Sequence, residues 1–211
     1  DTTRYDYDIL LQRLREQAFL NAGIRVVLTD KRTDADLPDR NDDLCFEGGI
    51  KSYVEFLLNG MKKDKLSKDV IYLSANDGDS TAEIALLWST AYDNKIISFA
   101  NTLHTIDGGT HEQGFRQALT NTVNKYAFDF KHLKEGNARL KAEDIIEGVV
   151  AVVSVKLADA QFESQTKAKL GNTSIGRLVR DLINDKLYQY LEEHPQEAKI
   201  IIDKSIASSN A

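Results

Sequence analysis

A short polar segment in the last quarter of the chain carries the residue types best suited to hold a phosphate. Residues 164–169 are Ser-Gln-Thr-Lys-Ala-Lys, and they lie between an apolar predicted strand and the start of a predicted helix. Ammonium groups supply charge to a bound phosphate, and amide and hydroxyl groups supply neutral donors. From the residues alone, a solvated loop that happens to contain two lysines is the commoner alternative.

Two glycine pairs are the next candidates, and neither belongs to a nucleotide-binding fingerprint. No third glycine and no Gly-Lys-Ser/Thr follows Gly48-Gly49 or Gly108-Gly109, so both pairs predict strand-to-helix turns. His111-Glu112 is similar to the start of a zinc-protease helix. Residue 115 is Phe where that helix needs its second His, so the sequence predicts no metal there.

The remaining reactive residue types form no catalytic set. His104, His132 and His194 fall in predicted turns and indicate surface histidines. The one cysteine, Cys45, cannot form an internal disulfide and is too few for a structural zinc site, which favours a reducing cytoplasm. The acidic stretch 33–43 predicts a solvated hairpin loop, with an acidic metal site as the sharper alternative.

Composition excludes several classes of protein. The chain has 211 residues, of which 42% are hydrophobic and 28% charged, and a net charge of −6. These values are typical of a globular protein with a full core, and the negative charge disfavours a general nucleic-acid coat. No apolar run approaches the roughly 20 residues that span a bilayer, so no membrane partner is expected.

Hydrophobic periodicity predicts an α+β fold with a mixed sheet covered by helices. Glycine punctuation and a strong Asp-Gly turn predict three successive strands in an antiparallel meander. Thr110 with Gln113 fits a capping box, and Gly60 is expected just past the end of the second helix. The predicted helices cover residues 11–19, 50–58, 111–126, 175–191 and 195–207, and the predicted strands 24–31, 44–47, 70–74, 81–88, 95–101 and 148–157.

Four ordered motifs carry a resemblance to a known family. They are Arg-Leu-Arg-Glu-Gln-Ala-Phe-Leu-Asn at 13–21, Phe-Glu-Gly-Gly-Ile at 46–50, Asp-Gly-Gly-Thr-His-Glu-Gln-Gly-Phe at 107–115, and Ser-Gln-Thr-Lys-Ala-Lys-Leu-Gly-Asn at 164–172. Together they resemble the transducer, or second, domain of DNA gyrase B and of its topoisomerase IV counterpart, which are bacterial type II topoisomerases. The resemblance extends from about residue 5 to residue 207.

The resemblance implies a fold and a domain organisation. It implies a sandwich like ribosomal protein S5 domain 2, with residues 1–171 as the α/β core and 172–211 as a long C-terminal helical arm. The whole of 1–211 would be one transducer domain excised from a longer chain. In the parent protein a GHKL ATPase domain would precede it and a metal-binding TOPRIM domain would follow.

The resemblance also implies a function for the polar loop from Ala158 to Gly171, called here the Gln-Thr-Lys loop. Gln165 and Lys167 would contact the γ-phosphate of ATP in the preceding domain, where ATP binds with Mg²⁺, and Lys169 would have no such role. Arg116 is the candidate for a charge that faces DNA, the alternative being an exposed arginine paired with a carboxylate. The isolated chain would bind no cofactor and be inactive.

The partners implied are double-stranded DNA, a second copy of the same protein, and the gyrase A protein or its topoisomerase IV counterpart. DNA gyrase is favoured over topoisomerase IV. Two further alternatives are a stand-alone S5-like RNA-binding module and the middle domain of a mismatch-repair or chaperone ATPase. The first would need a basic face with interleaved aromatic residues, which this acidic chain lacks. The order of the four motifs argues against the second.

Overall fold

The computed structural model describes residues 4–32 and 39–211, and the chain divides into two compact units, Asp1–Tyr53 and Val54–Ala211. The first unit contains α1 (Tyr7–Leu20), β1 (Arg25–Thr29) and β2 (Asn41–Cys45). The Asp6 side chain caps α1 by accepting hydrogen bonds from the backbone N–H groups of the first turn. The predicted helix 11–19 and strand 24–31 are confirmed, whereas the predicted strand 44–47 overlaps β2 only at Leu44 and Cys45.

The predicted acidic loop differs from the structure at its C-terminal end. Residues 41–43 belong to β2, which pairs antiparallel with β1 in a separate two-stranded sheet. Asp42 accepts a hydrogen bond from Tyr7 at 2.7 Å, and Asp43 pairs with Arg25. Residues 33–38 of the predicted loop lie outside the described residues. Within the described part of the chain, no group of three His, Cys, Asp or Glu side chains could hold a metal ion.

Helix α2 (Ile50–Met61) joins the two units and ends later than predicted. Gly60 lies inside the helix, and the left-handed residue after the helix end is Lys62, with φ 55°. The predicted C-terminal glycine cap is therefore wrong. Glycine is favoured at such a position because it has no Cβ, but other residues adopt it at a cost of about 1 kcal/mol.

The second unit is built on a five-stranded mixed sheet of β3 (Ile71–Asp77), β4 (Ser80–Trp88), β5 (Lys95–Ala100), β6 (Leu103–His104) and β7 (Val149–Lys156). The order of the strands is β3-β4-β7-β5-β6. Its central strand β7 runs antiparallel to β4 and parallel to β5. The predicted meander is wrong, because β7 lies between the second and third strands of that prediction.

The apolar sequence of β7 explains its central position. Every residue from Val149 to Val155 is buried, so a neighbouring strand is needed on each edge and cover on each face. The six residues 89–94 that connect β4 to β5 can span the two strand spacings, about 10 Å, that this insertion requires. The Asp-Gly turn between β3 and β4 is confirmed, with Gly78 at φ 58°.

Helices α3 to α7 complete the second unit. They are α3 (Thr110–Asp129), α4 (Ala142–Ile146), α5 (Thr173–Leu182), α6 (Tyr188–Glu193) and α7 (Pro195–Ser209), with a π-helical segment Ile183–Leu187 between α5 and α6. Leu140, in the connection between α3 and α4, is buried. Among the described residues, no helix is long and apolar enough to cross a membrane.

The C-terminal helices share one hydrophobic core with the sheet. The core combines the apolar stripe of α3 with apolar residues of β4 and β7, and it extends through α5, the π-helical segment and α7. Leu187, Leu191 and Ile201 are each at most 1% exposed within it. The helices of the predicted C-terminal arm, within residues 172–211, therefore pack onto the sheet.

Candidate phosphate-binding loop

The Gln-Thr-Lys loop is a tight hairpin whose two sides are held by backbone hydrogen bonds. The Gly171 N–H donates to Gln161 O at 2.7 Å, and the Glu163 N–H donates to Lys169 O at 3.0 Å. Phe162 and Leu170 form an antiparallel bridge between these two bonds. The hairpin leaves Ser164–Ala168 as its tip, so the residues predicted to hold phosphate stand at the end of an ordered support.

The tip is a turn with Lys167 in a left-handed conformation. The Lys167 N–H donates to Ser164 O at 3.1 Å, and the hydroxyls of Ser164 and Thr166 are 2.6 Å apart. Lys167 has φ 55°, which costs a residue with a Cβ about 1 kcal/mol. Strained backbone of this kind occurs more often at ligand-binding sites than elsewhere.

Gln165 and Lys167 both have unpaired, exposed side chains at this tip. Neither side chain has a hydrogen-bond or ion-pair partner among residues 4–32 and 39–211. Lys169 differs, because its ammonium lies 3.1 Å from the Glu163 carboxylate. Of the two lysines in the motif, Lys167 is therefore unpaired among the described residues, and Lys169 forms an ion pair.

The base of the loop is joined to the segment that leads into α3. The Leu170 N–H donates to Gly108 O at 3.2 Å, the Thr110 N–H donates to Leu170 O at 3.0 Å, and the Asp107 N–H donates to Ala168 O at 2.9 Å. The Gly-Gly-Thr and Gln-Thr-Lys motifs, far apart in sequence, are thus neighbours. Sequence reasoning did not connect them, because each motif looked like an isolated turn.

Asn172 closes the loop at its other end. Its side-chain carbonyl accepts a hydrogen bond from the Gln161 N–H at 2.7 Å, and its side-chain amide donates to Asp159 O at 2.9 Å. Its backbone carbonyl accepts a hydrogen bond from the Thr110 hydroxyl. Asn172 occupies the N-cap position of α5, but no side-chain capping bond is present there. Its role at the loop was missed, since an asparagine before a helix predicts a cap.

The predicted capping box at the start of α3 is also corrected. Thr110 is the first residue of the helix, and Gly109 is the N-cap residue, with φ 137° and no side-chain bond. The Thr110 hydroxyl instead reaches Asn172. The start of α3 packs closely against the start of α5. A Cβ on Gly114 would lie only 2.6 Å from Gly176 O.

Arg116 lies on α3 and pairs with a carboxylate four residues earlier. Its Nε and Nη2 donate to Glu112 Oε1 at 3.1 and 3.0 Å. The Arg116 side chain remains 38% exposed, and it lines an open groove of about 810 Å³. The other groove residues are mostly polar and include Asn94, Gln113, Gln117, Thr120 and Asn121.

His111 is fully buried, which its sequence context did not predict. Burial lowers the pKa of its imidazole to about 4, so the ring is neutral at pH 7. Its Nε2 lies 3.0 Å from the Thr105 hydroxyl, while Nδ1 has no partner among the described residues. His111 therefore contributes to the support beneath the loop.

Comparison with known proteins decides the family. The family model for DNA gyrase B matches residues 49–211, which is most of the chain. The chain belongs to the DNA gyrase B family. It is 48% identical over its full length to the DNA gyrase B protein of Clostridium acetobutylicum, and 41% identical to that of Staphylococcus aureus. It spans 32% of the length of each of these relatives.

Solved structures of gyrase B and topoisomerase IV share the fold of this chain. The 43K ATPase domain of Thermus thermophilus gyrase B, in complex with an aminocoumarin, superimposes with a TM-score of 0.85 and 31% identity. That match covers 98% of this chain and 54% of the Thermus chain. The topoisomerase IV ATP-binding domain of Francisella tularensis, at 23% identity and a TM-score of 0.79, shows the fold alone.

The comparisons place the chain in the N-terminal region of a gyrase B protein, with a mixed α/β architecture. Membership of this family favours the predicted topoisomerase class over an RNA-binding module. The match to the Thermus ATPase fragment includes most of residues 1–53, the separate first unit. The transducer assignment that the sequence predicts for the whole chain is narrower than this match.

Proposed function

We propose that this chain is the transducer segment of an ATP-dependent type II DNA topoisomerase, of the gyrase type, and that it couples ATP hydrolysis to DNA strand passage. The observation that carries the proposal is the tip of the Gln-Thr-Lys loop. There an unpaired lysine and an unpaired amide stand on a hairpin fixed at its base. The gyrase assignment rests on the curated relatives, with topoisomerase IV as the alternative.

Lys167 has the chemistry needed to act on a phosphoryl group in transfer. During ATP hydrolysis, negative charge spreads over the oxygens of the transferring γ-phosphoryl group, and an ammonium within contact distance stabilises it. The Gln165 amide supplies a neutral donor to the same group. The adenine, ribose and Mg²⁺ contacts would come from the rest of the ATPase region, so the isolated chain is expected to be inactive.

The same contact would report whether the γ-phosphate is present. A charge-assisted hydrogen bond is worth about 1.5–3 kcal/mol, and release of phosphate removes it. A ligand shifts a conformational equilibrium only through such a difference between two states. Because the loop base is bonded to the start of α3, a movement of the tip would be transmitted into the helices. Double-stranded DNA, a second copy of the same protein and the gyrase A protein are the proposed partners.

Steady-state ATP turnover of three alanine variants in the full-length protein, in complex with the gyrase A protein, tests the proposal. Lys167→Ala should lower kcat by about 10²-fold or more, as expected when one donor to a transition-state oxyanion is lost. Gln165→Ala should show a smaller loss. Lys169→Ala is the matched control, because it removes a lysine of the same loop that is already paired with Glu163.

Melting curves separate a functional loss from an unstable protein. Gln165 and Lys167 are exposed at the tip, and Lys169 is half-buried in a surface ion pair with Glu163. Each substitution should therefore change the free energy of unfolding by less than about 0.5 kcal/mol. Lys167→Gly should melt slightly above Lys167→Ala, because glycine relieves the left-handed strain. Normal kcat in Lys167→Ala would refute the phosphate contact.

A further inference from the structure

A continuous path of hydrogen bonds runs from Arg116 to the base of the Gln-Thr-Lys loop. It begins at the guanidinium, passes through the Glu112 carboxylate to Ser98 and Thr105, and reaches the turn 105–109. That turn holds Ala168 and Leu170 through the backbone bonds already described. The path therefore joins the groove beside α3 to the loop that carries Lys167.

Glu112 is the junction of this path. Its Oε1 accepts both hydrogen bonds from Arg116, and its Oε2 accepts one from the Ser98 hydroxyl at 2.8 Å. The turn 105–109 also packs directly against the Glu112 carboxylate. A Cβ on Gly108 would lie only 3.0 Å from Oε2. Any change in the position of Glu112 therefore acts on this turn both through Ser98 and by direct contact.

The direction of each bond follows from the number of protons available. The Ser98 hydroxyl has one proton, which goes to the carboxylate. The single proton of the Thr105 hydroxyl is directed to Ser98, where the backbone O and Oγ both lie at 2.9 Å. The Thr105 N–H donates to Ser98 O, and the Gly108 N–H donates to Thr105 O, both at 2.9 Å. With its proton directed to Ser98, Thr105 accepts from His111 Nε2–H, and we assign this tautomer to the buried ring.

We propose that Glu112 and Ser98 are positioning residues that couple occupancy of Arg116 by a DNA phosphate to the placement of the Gln-Thr-Lys loop. The inference rests on the proposed function. A phosphate that draws the guanidinium away leaves Glu112 with Ser98 as its remaining donor among the described residues. The carboxylate then has two arrangements, paired with Arg116 or released from it, and each sets the turn 105–109 differently.

The test measures DNA stimulation in the full-length protein in complex with the gyrase A protein. The readout is the ratio of ATP turnover with linear double-stranded DNA to turnover without DNA. Ser98→Ala should lower this ratio by about fivefold or more, the lower end of ordinary coupling between two sites. Its affinity for DNA should not change, because Ser98 is buried and its removal leaves the Arg116–Glu112 pair intact.

A second variant and a matched control keep the test decisive. Glu112→Gln retains the volume and an acceptor for Ser98 but loses the ion pair with Arg116, and it should lower the ratio as well. Ser89→Ala removes another buried serine, whose hydroxyl donates to Gly148 O at 2.9 Å. No hydrogen bond within residues 4–32 and 39–211 joins Ser89 to Arg116 or Glu112. It should lower the melting temperature about as much as Ser98→Ala and leave the ratio unchanged.

Combining Ser98→Ala with Arg116→Gln tests whether the two residues act in series. The double variant should have the same ratio as Arg116→Gln alone. An unchanged ratio in both Ser98→Ala and Glu112→Gln, or absence of DNA stimulation in the unmodified protein, would overturn the inference. Lys167→Ala, assayed in parallel, reports separately on the proposed function. If it loses kcat while Ser98→Ala keeps its DNA stimulation, only the coupling path fails.

Discussion

Gly109 and Leu170 lie against each other as a parallel backbone pair at the base of the Gln-Thr-Lys loop. A Cβ on Gly109 would lie 2.6 Å from Leu170 N and closer still to Leu170 O. Gly109 also has φ 137°, a conformation in the range that favours glycine. The absence of a side chain at residue 109 is thus what lets the segment before α3 support the loop.

Gly109→Ala should destabilise the protein and displace the loop. The new methyl group meets backbone and not the flexible end of a side chain, so we expect a loss of about 2–4 kcal/mol of unfolding free energy. The matched control is Gly78→Ala, also at positive φ but with open space around it, which should cost only about 1 kcal/mol. Urea denaturation measures both, and equal losses would contradict the close packing.

Burial of neutral His111 should make stability depend on pH. The pKa of His111 is about 4 when folded, against 6.5 for an unperturbed histidine, so between pH 6.5 and 4 the unfolded chain binds the extra proton. Stability therefore falls as pH falls through this window, by about 2 kcal/mol between pH 7 and pH 5. His111→Gln removes this titration while an amide can still donate to Thr105.

Urea denaturation of the unmodified protein and His111→Gln at pH 7 and pH 5 measures the effect. The loss between the two pH values should be about 2 kcal/mol smaller in the variant, even if the variant is less stable at both pH values. Equal losses in the two proteins would mean that His111 is protonated as readily in the folded state as in the unfolded state.

Local elements of this fold were predictable, while the partners of the strands were not. Helix α3 and the β3–β4 turn follow from apolar spacing and from an Asp-Gly pair, which act within a few residues. The insertion of β7 between β4 and β5 depends on contacts far apart in sequence, which periodicity does not encode. The apolar sequence of β7 did indicate a buried strand, and only its neighbours were wrong.

For the candidate site, sequence composition located the loop but not its support. Gln165 and Lys167 were identified because amide and ammonium groups cluster in one polar segment and because the motif resembles a known family. Asn172, Ser98 and Thr105 act through bonds to residues distant in sequence, and each has an ordinary local context. In the sequence, Glu112 belongs to an incomplete zinc motif and to the family motif 107–115, and neither indicates that its carboxylate joins Arg116 to Ser98.

The salt dependence of DNA binding should depend on Arg116. If the Arg116 side chain contacts a DNA phosphate, Arg116→Gln in the full-length protein in complex with gyrase A should reduce the slope of log affinity against log salt by about one unit. Nucleotide affinity should not change. The exposed groove beside Arg116 is lined mainly by amides and hydroxyls, which can donate to phosphate without adding to the slope.

A charge-matched control lies on the same helix. Lys125 is also paired with a carboxylate four residues away, Asp129, and nine residues of α-helix place it about 180° from Arg116 around α3. Lys125→Gln removes the same charge from the opposite side and should leave the slope unchanged. Because the charge removed is the same, a change in net charge alone would reduce both slopes equally. A slope that falls only in Arg116→Gln therefore assigns the contact to this face of α3, and an unchanged slope in Arg116→Gln leaves its pair with Glu112 as a structural contact.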